Sequence, residues 1–286
     1  MRRAVLKAFA AFALAGAAVA APAGPALAQG AWATVWGPAI GPPAIYGGYS
    51  EGCLRGAVAL PLDGPGYQVV RPAWRRYFGH PDLIAFVERF GERIDAAGLG
   101  VMPIADIAQP RGGPITGHVS HEIGLDVDIW LRLDLPRLDP DARNELTAVS
   151  LVSPATGEVD PELWTPAHAE AIRLAAIDDR VARIFVNPAI KRALCAMEWE
   201  DPSWLRYVVP WQGHDAHMHV RLHCPDDDFR CENQGAPPEG TGCAALMENG
   251  DSDPERGDMY GRGATPRPPG VLPRQCVNVY SLPAAQ

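Results

Sequence analysis

The sequence predicts an α+β fold, and three observations point to it. Short strands and amphipathic helices follow one another irregularly, not as regular βαβ units. Two segments, residues 125–131 and 217–223, alternate apolar with polar residues, the two-residue period of a strand. Three other segments place a helix-capping residue or a proline ahead of apolar residues. Of 286 residues, 47% are hydrophobic and 21% charged, which is globular composition and excludes wholesale disorder. There is no internal repeat, and residues 29–286 read as a single domain.

At the N-terminus, Arg2, Arg3 and Lys7 precede an apolar run at residues 8–21, too short to span a bilayer core of ~30 Å. Ala26-Leu27-Ala28 is a small-x-small cleavage site, with an earlier one at residues 18–20. Residues 1–28 therefore read as a secretory signal peptide, with an N-terminal anchor helix as the alternative. No later segment is long and apolar enough to cross a membrane, so no transmembrane segment is expected. An exported chain with six cysteines is expected to pair them. Lys plus Arg number 25 against 34 Asp plus Glu, a net charge of −9, which argues against nucleic acid as a partner.

Residues 29–70 are rich in Gly and Pro and show few periodic segments. Asp82 is placed to cap a helix whose buried stripe is Leu83, Phe86, Val87, Phe90 and Ile94, and Gly98-Leu99-Gly100 ends it. A strand is expected within 101–107, then a Gly/Pro loop over 109–117. In 125–131, Leu125, Val127, Ile129 and Leu131 share one face; Asp126, Asp128 and Trp130 share the other, giving a half-buried strand with two carboxylates outward. Thr165-Pro166 opens a second helix, 183–186 is a short strand, and Asn187-Pro188 opens a third helix ending near Met197. In 217–223, Met218, Val220 and Leu222 oppose His217, His219, Arg221 and His223. From about residue 225 the chain reads as an irregular tail pinned by disulfides.

Five of the eight histidines fall in two short segments, His118 and His121 in one, His214, His217 and His219 in the other. Zinc sites for hydrolysis use three protein ligands and keep one position open for water. His121, Asp128 and one of His217 and His219 supply such a set, because side chains two apart on a strand point the same way. The competing reading is a set of exposed strand histidines and a surface Asp. Asp126 shares the face of Asp128 and is placed to orient a ligand His. Glu122 lies outside any His-Glu-x-x-His motif and is a poor general base. His80 and His168 read as structural. Trp130, Trp211 and Tyr77 read as groove walls or core, and Arg221 and His223 as substrate contacts or exposed residues. Cys224 and Cys231 are close enough for a local loop, and the sequence itself chooses no other pairing.

The order His121, Asp128, His217-x-His219 resembles the group that joins lysostaphin-type peptidases, D-Ala-D-Ala carboxypeptidases and the hedgehog signalling domain. Longer strings at residues 75–83, 117–129, 183–191 and 214–222 resemble the penicillin-insensitive murein endopeptidase family, with similarity running from about Trp36 to Cys276. The resemblance implies a small antiparallel sheet flanked by helices, and a periplasmic endopeptidase with one Zn²⁺ per chain. Its substrate would be cross-linked murein peptides, cut between D-Ala and meso-diaminopimelate. It implies His121, Asp128 and His219 as ligands, His217 as the catalytic His, His214 as a second active-site His, and His118 as an extra ligand or substrate contact. It also implies the disulfides Cys53–Cys276, Cys195–Cys243 and Cys224–Cys231. No Ser-x-x-Lys motif offers a nucleophile for a β-lactam to acylate, so insensitivity to penicillin is expected. The alternatives are a D-Ala-D-Ala carboxypeptidase, which needs a cation for the terminal carboxylate, and a non-catalytic zinc-stabilised cell-wall-binding module. The sequence leaves a homodimer open.

Overall fold

Chain order runs α1 (Gln29–Trp32), β1 (Ala44–Gly48), β2 (Glu51–Arg55), β3 (Val58–Ala59), β4 (Asp63–Gly64), β5 (Tyr67–Val69), β6 (Phe78–Gly79) and α2 (Pro81–Ala96). It continues through β7 (Met102–Ile104), β8 (Asp126–Trp130), α3 (Pro166–Ala176), β9 (Val181–Val186), α4 (Pro188–Cys195), β10 (Val208–Pro210) and β11 (His217–Leu222) to a C-terminal helix, Arg274–Ser281. The computed structural model describes residues 29–244, 246 and 272–285; the expected leader lies outside them. Among the described residues no helix is long and apolar enough to cross a membrane.

Seven strands form one sheet in the order β10-β9-β11-β8-β7-β5-β4. The class is α+β, but the sheet is neither small nor purely antiparallel. β9–β11, β11–β8, β8–β7 and β5–β4 are antiparallel, while β10–β9 and β5–β7 are parallel. Parallel neighbours need a crossover, which α4 supplies for the first pair and α2 for the second. The β1–β2 hairpin and β3 fall in the 29–70 stretch that showed few periodic segments, and β3 pairs with β6 just beyond it. Likewise the tail is not wholly irregular, because it ends in the helix Arg274–Ser281.

The central pair sets the site. β11 against β8 brings His219 opposite Asp128, Arg221 opposite Asp126 and His217 opposite Trp130. Val127, Ile129, Met218 and Val220 turn the other way, into a core shared with the expected stripe of α2, which is fully buried. The polar face is buried as well: Asp126 is 0% exposed and Asp128 5%. The half-buried strand expected at 125–131 is therefore covered on both faces, and its carboxylates point inward. The alternation showed which residues share a face but not that loops would close over the polar one.

Helix starts follow local chemistry. His80, not Asp82, caps α2: its ring accepts a hydrogen bond from the Asp82 amide. Pro81 takes the first helical position, where its missing N–H costs nothing, and leaves Asp82 within the first turn. Thr165 and His168 form a reciprocal capping pair for α3, and Asn187 caps α4 through the Ala189 amide. His80 and His168 are thus structural caps.

Disulfides join Cys53 to Cys276, Cys195 to Cys243 and Cys224 to Cys231. The first ties the C-terminal helix to β2. The second ties α4 to the segment that follows Thr241. Beside it, Lys191 is fully buried, and its Nζ donates to the carbonyls of Leu205 at 2.6 Å and Thr241 at 2.8 Å. Burial pushes its pKa down from 10.5 to about 7.

Two outcomes are expected. The Cys53→Ser/Cys276→Ser variant loses about 2–5 kcal/mol in denaturant titrations, since a loop of 223 residues is no longer closed; an unchanged midpoint would show that the helix docks without its tether. For Lys191, the unfolded chain holds the proton more tightly than the fold. Stability of the wild type relative to Lys191→Met therefore rises with pH between about 7 and 10.5 and is level below that window. A level difference across the whole range would show that the two carbonyls keep the ammonium charged.

Candidate metal centre

Asp128 projects from β8 into a ring of imidazoles. Its Oδ1 lies 3.3 Å from His121 Nε2, 3.2 Å from His219 Nδ1 and 3.6 Å from His217 Nε2, and its Oδ2 lies 3.7 Å from His118 Nδ1. Ligand atoms of His118, His121 and Asp128 all fall within 4.8 Å of one another. His121 Nε2 and Asp128 Oδ1 are buried and make no hydrogen bond. Buried polar atoms without partners are rare in native folds, and two that face each other among imidazoles fit a shared cation.

The opposite edge of each ring is held. His121 Nδ1 meets the Ile107 carbonyl at 2.7 Å and His118 Nε2 meets Asp106 Oδ2 at 2.8 Å; His219 Nε2 lies within ion-pair distance of Asp126 Oδ1, at 3.1 Å, without hydrogen-bond geometry. Metal-binding histidines are oriented in this way, with the second nitrogen tied to a carboxylate or carbonyl. His118, His121 and His219 therefore turn Nδ1, Nε2 and Nδ1 respectively toward Asp128.

Asp126 joins the two halves of the cluster. Arg221 donates to it twice, Nε to Oδ1 at 2.7 Å and Nη2 to Oδ2 at 3.0 Å, and the His121 amide donates to Oδ2 at 3.0 Å. Burial alone would raise this carboxyl's pKa, but Arg221 and His219 hold it well below the usual carboxylate range. Asp128 is likewise held low, burial being outweighed by the neighbouring imidazoles. His121 is left-handed, with φ 71°, an uncommon conformation for a residue with a Cβ. The bond to Asp126 and the ring contact with Ile107 fix it there.

His217 and His214 stand beside the ring, their centroids 4.9 Å apart, and His214 is 5.8 Å from His219. Burial pushes His217 below the ordinary His pKa, against the pull of Asp128. Burial, reinforced by His219 and His217, pushes His214 down to about 3. Both imidazoles are thus neutral near pH 7. His214 is itself left-handed, with φ 48°; its carbonyl accepts from the Asn187 amide, so the α4 cap and this His share one turn.

All six histidine and aspartate positions singled out around the metal, together with Asp126, converge here. Arg221 and Glu122 do not face substrate. Arg221 is buried against Asp126 and Gln234, because its β11 position lies opposite Asp126. Glu122 accepts from the Gly52 amide, and burial pushes its pKa up to about 8. Trp211 edges onto Phe185, which also contacts His219; Trp130 is buried, and Tyr77 stacks on Phe78. His223 is exposed. Asp106 and the Ile107 carbonyl were not anticipated: they sit just past a three-residue strand, too short for a periodic signal.

A family model described as penicillin-insensitive murein endopeptidase matches residues 45–281. Curated relatives bearing that name include one from Yersinia enterocolitica, 46% identical over 226 residues, covering 79% of this chain and 82% of the relative. A Klebsiella pneumoniae relative is 44% identical over 251 residues, 87% of this chain and 90% of its own. One from Haemophilus influenzae is 44% identical over 237 residues, 81% and 82% respectively.

If Asp126 orients the ring of His219 and the backbone of His121, Asp126→Asn should weaken divalent-metal affinity about 10–100-fold. Titration against a competing chromophoric chelator reads this directly. Wild-type affinity in that variant would show that Arg221 and the strand pairing hold the ring unaided.

Proposed function

The chain belongs to the penicillin-insensitive murein endopeptidase family, and from that premise we propose a periplasmic zinc endopeptidase that hydrolyses D-Ala–meso-diaminopimelate cross-links in murein. The observation that carries this reading is the set of ring nitrogens turned toward Asp128 while their opposite edges are held. His121, Asp128 and His219 are the proposed zinc ligands, with His118 as an additional ligand or substrate contact. Two neutral-nitrogen donors and a carboxylate are the donor types Zn²⁺ takes in hydrolytic sites. The expected leader at residues 1–28, although outside the described residues, supports export to the compartment that holds murein.

Zinc in such a site lowers the pKa of water and polarises a carbonyl. The chain's own residues do the rest. His217, neutral and with Nε2 beside Asp128, is placed to take a proton from the attacking water and return it to the departing amine. His214, next to it, is placed to donate to the oxyanion that develops on the scissile carbonyl, or to hold His217 in its working tautomer. Asp126 and Asp106 orient His219 and His118 and do not touch substrate. A purely structural zinc module is disfavoured by these two neutral imidazoles, since such a site closes its fourth position with a protein ligand.

His217→Ala should nearly abolish turnover of a cross-linked muropeptide dimer while leaving metal content near one per chain; His121→Ala should lose both. Equal metal loss in the two variants would make His217 a ligand and not a base. Digestion of cross-linked murein, read by fragment mass, should stop with a zinc chelator and be untouched by penicillin. Full activity in demonstrably stripped protein would end the reading.

A further inference from the structure

We propose that Arg71 binds the free carboxylate next to the scissile amide nitrogen of the cross-linked substrate, and so selects for that group on the leaving side. The inference rests on the endopeptidase reading above and deepens it. In the bond named there, D-Ala acylates an amino group on a diaminopimelate carbon that keeps its own carboxylate. An enzyme cutting this bond meets an anion one carbon from the departing nitrogen.

Arg71 follows β5, and its guanidinium carbon lies 4.2 Å from the ring centroid of Trp74 and 4.8 Å from that of Trp130. Trp130 is the strand partner of His217 and shares the face of Asp128, so Arg71 borders the cluster on the side of the proposed base. Asp106 and Asp128 lie near enough for their charges to act on it.

Arg71 lacks an ion partner among the described residues. Its Nε is buried with no hydrogen bond, and among the described residues no carboxylate stands within ion-pair distance of its guanidinium. Arg76 and Arg221, which also border the cluster, are committed to carboxylates. Arg76 donates to Asp106 at 3.0 Å and to the Thr116 carbonyl at 3.1 Å, and Arg221 is bound to Asp126. Burial and the nearby Arg76 act against this guanidinium's charge, and Asp106 and Asp128, neither in ion-pair contact with it, offset them only in part. Contact with two indoles limits its motion and keeps the fork ready for a bidentate carboxylate.

The backbone carries the same sign of a held position. Arg71 is left-handed, φ 52° and ψ 47°, although Pro72 follows it, and proline favours an extended predecessor. Its amide donates to the Arg143 carbonyl and its own carbonyl accepts from Trp74, which fixes the strained turn. Non-glycine residues held in this region cluster at functional sites. Among the described residues four have it, Arg71, Arg75, His121 and His214, and two of these are the cluster's own histidines.

The test uses the full metal-loaded enzyme and two synthetic cross-linked muropeptides that differ in one group: carboxylate or carboxamide on the carbon bearing the scissile nitrogen. Wild type should favour the acid about 10- to 100-fold in kcat/KM, the value of hydrogen bonds to a charged partner. In Arg71→Met that ratio should collapse toward one, and Arg71→Lys, which keeps charge but not the fork, should recover part of it. Metal content and near-ultraviolet circular dichroism establish that each variant is folded. An unchanged acid-to-amide ratio in both variants, or no preference in the wild type, would overturn the assignment. Cleavage of neither substrate by the wild type would instead sink the endopeptidase reading.

Discussion

A fully buried carboxylate, Asp126, accepts two hydrogen bonds from Arg221 and one from the His121 amide, and lies 3.1 Å from His219 Nε2. Burying an ion costs several kcal/mol in effective terms, which is offset only when its oxygens are well partnered. Here the partners come from β11 and from the loop before β8, so the charge is satisfied only when both are in place. The same contacts aim His219 and set the left-handed backbone of His121. The geometry of the site and the closure of the loop over the sheet are therefore one constraint. Loss of Asp126's charge leaves Arg221 buried without its ion partner, which is why the pair acts as a unit.

The sheet supplies what the carboxylate cannot. Direct opposition of His219 and Asp128 follows from the β11–β8 register, and a slip of β11 by one residue would send His219 to the apolar face and turn Met218 or Val220 toward Asp128. Register is pinned because Val127, Ile129, Met218 and Val220 fill the core on the other side. The apolar half of each strand thus specifies where the polar half stands, and packing energy is converted into ligand geometry.

This explains how much was legible in the sequence. Strand alternation in 125–131 and 217–223 assigned Asp126, Asp128, His217 and His219 to common faces, and the helix caps at Thr165 and Asn187 were readable from local chemistry. The parallel pairs were not readable, because β5 and β10 are three residues long and their partners lie across helical crossovers. Nor could alternation say whether a polar face meets water. Arg221 looked available to substrate by pattern alone; only the register opposite Asp126 shows it to be spent within the fold. Asp106 and the Ile107 carbonyl belong to irregular backbone, where no period marks a functional position.

Charge around the cluster shows why strain and burial coincide there. Three carboxylates, Asp106, Asp126 and Asp128, are buried, each within 3.2 Å of an imidazole nitrogen. Asp126 is neutralised by Arg221 and Asp106 by Arg76, each through hydrogen bonds within the fold. Asp128 has no arginine or lysine partner among the described residues; imidazole edges alone surround it. Burial by itself disfavours the ionised form of such a carboxylate, so its charge depends on the groups around it. The fold pairs two of these three carboxylates with arginines and leaves the third, Asp128, among four imidazoles, as the proposed metal site requires. The chain's own arginines thus reach Asp106 and Asp126 but not Asp128, which separates the two positioning carboxylates from the one proposed as a ligand.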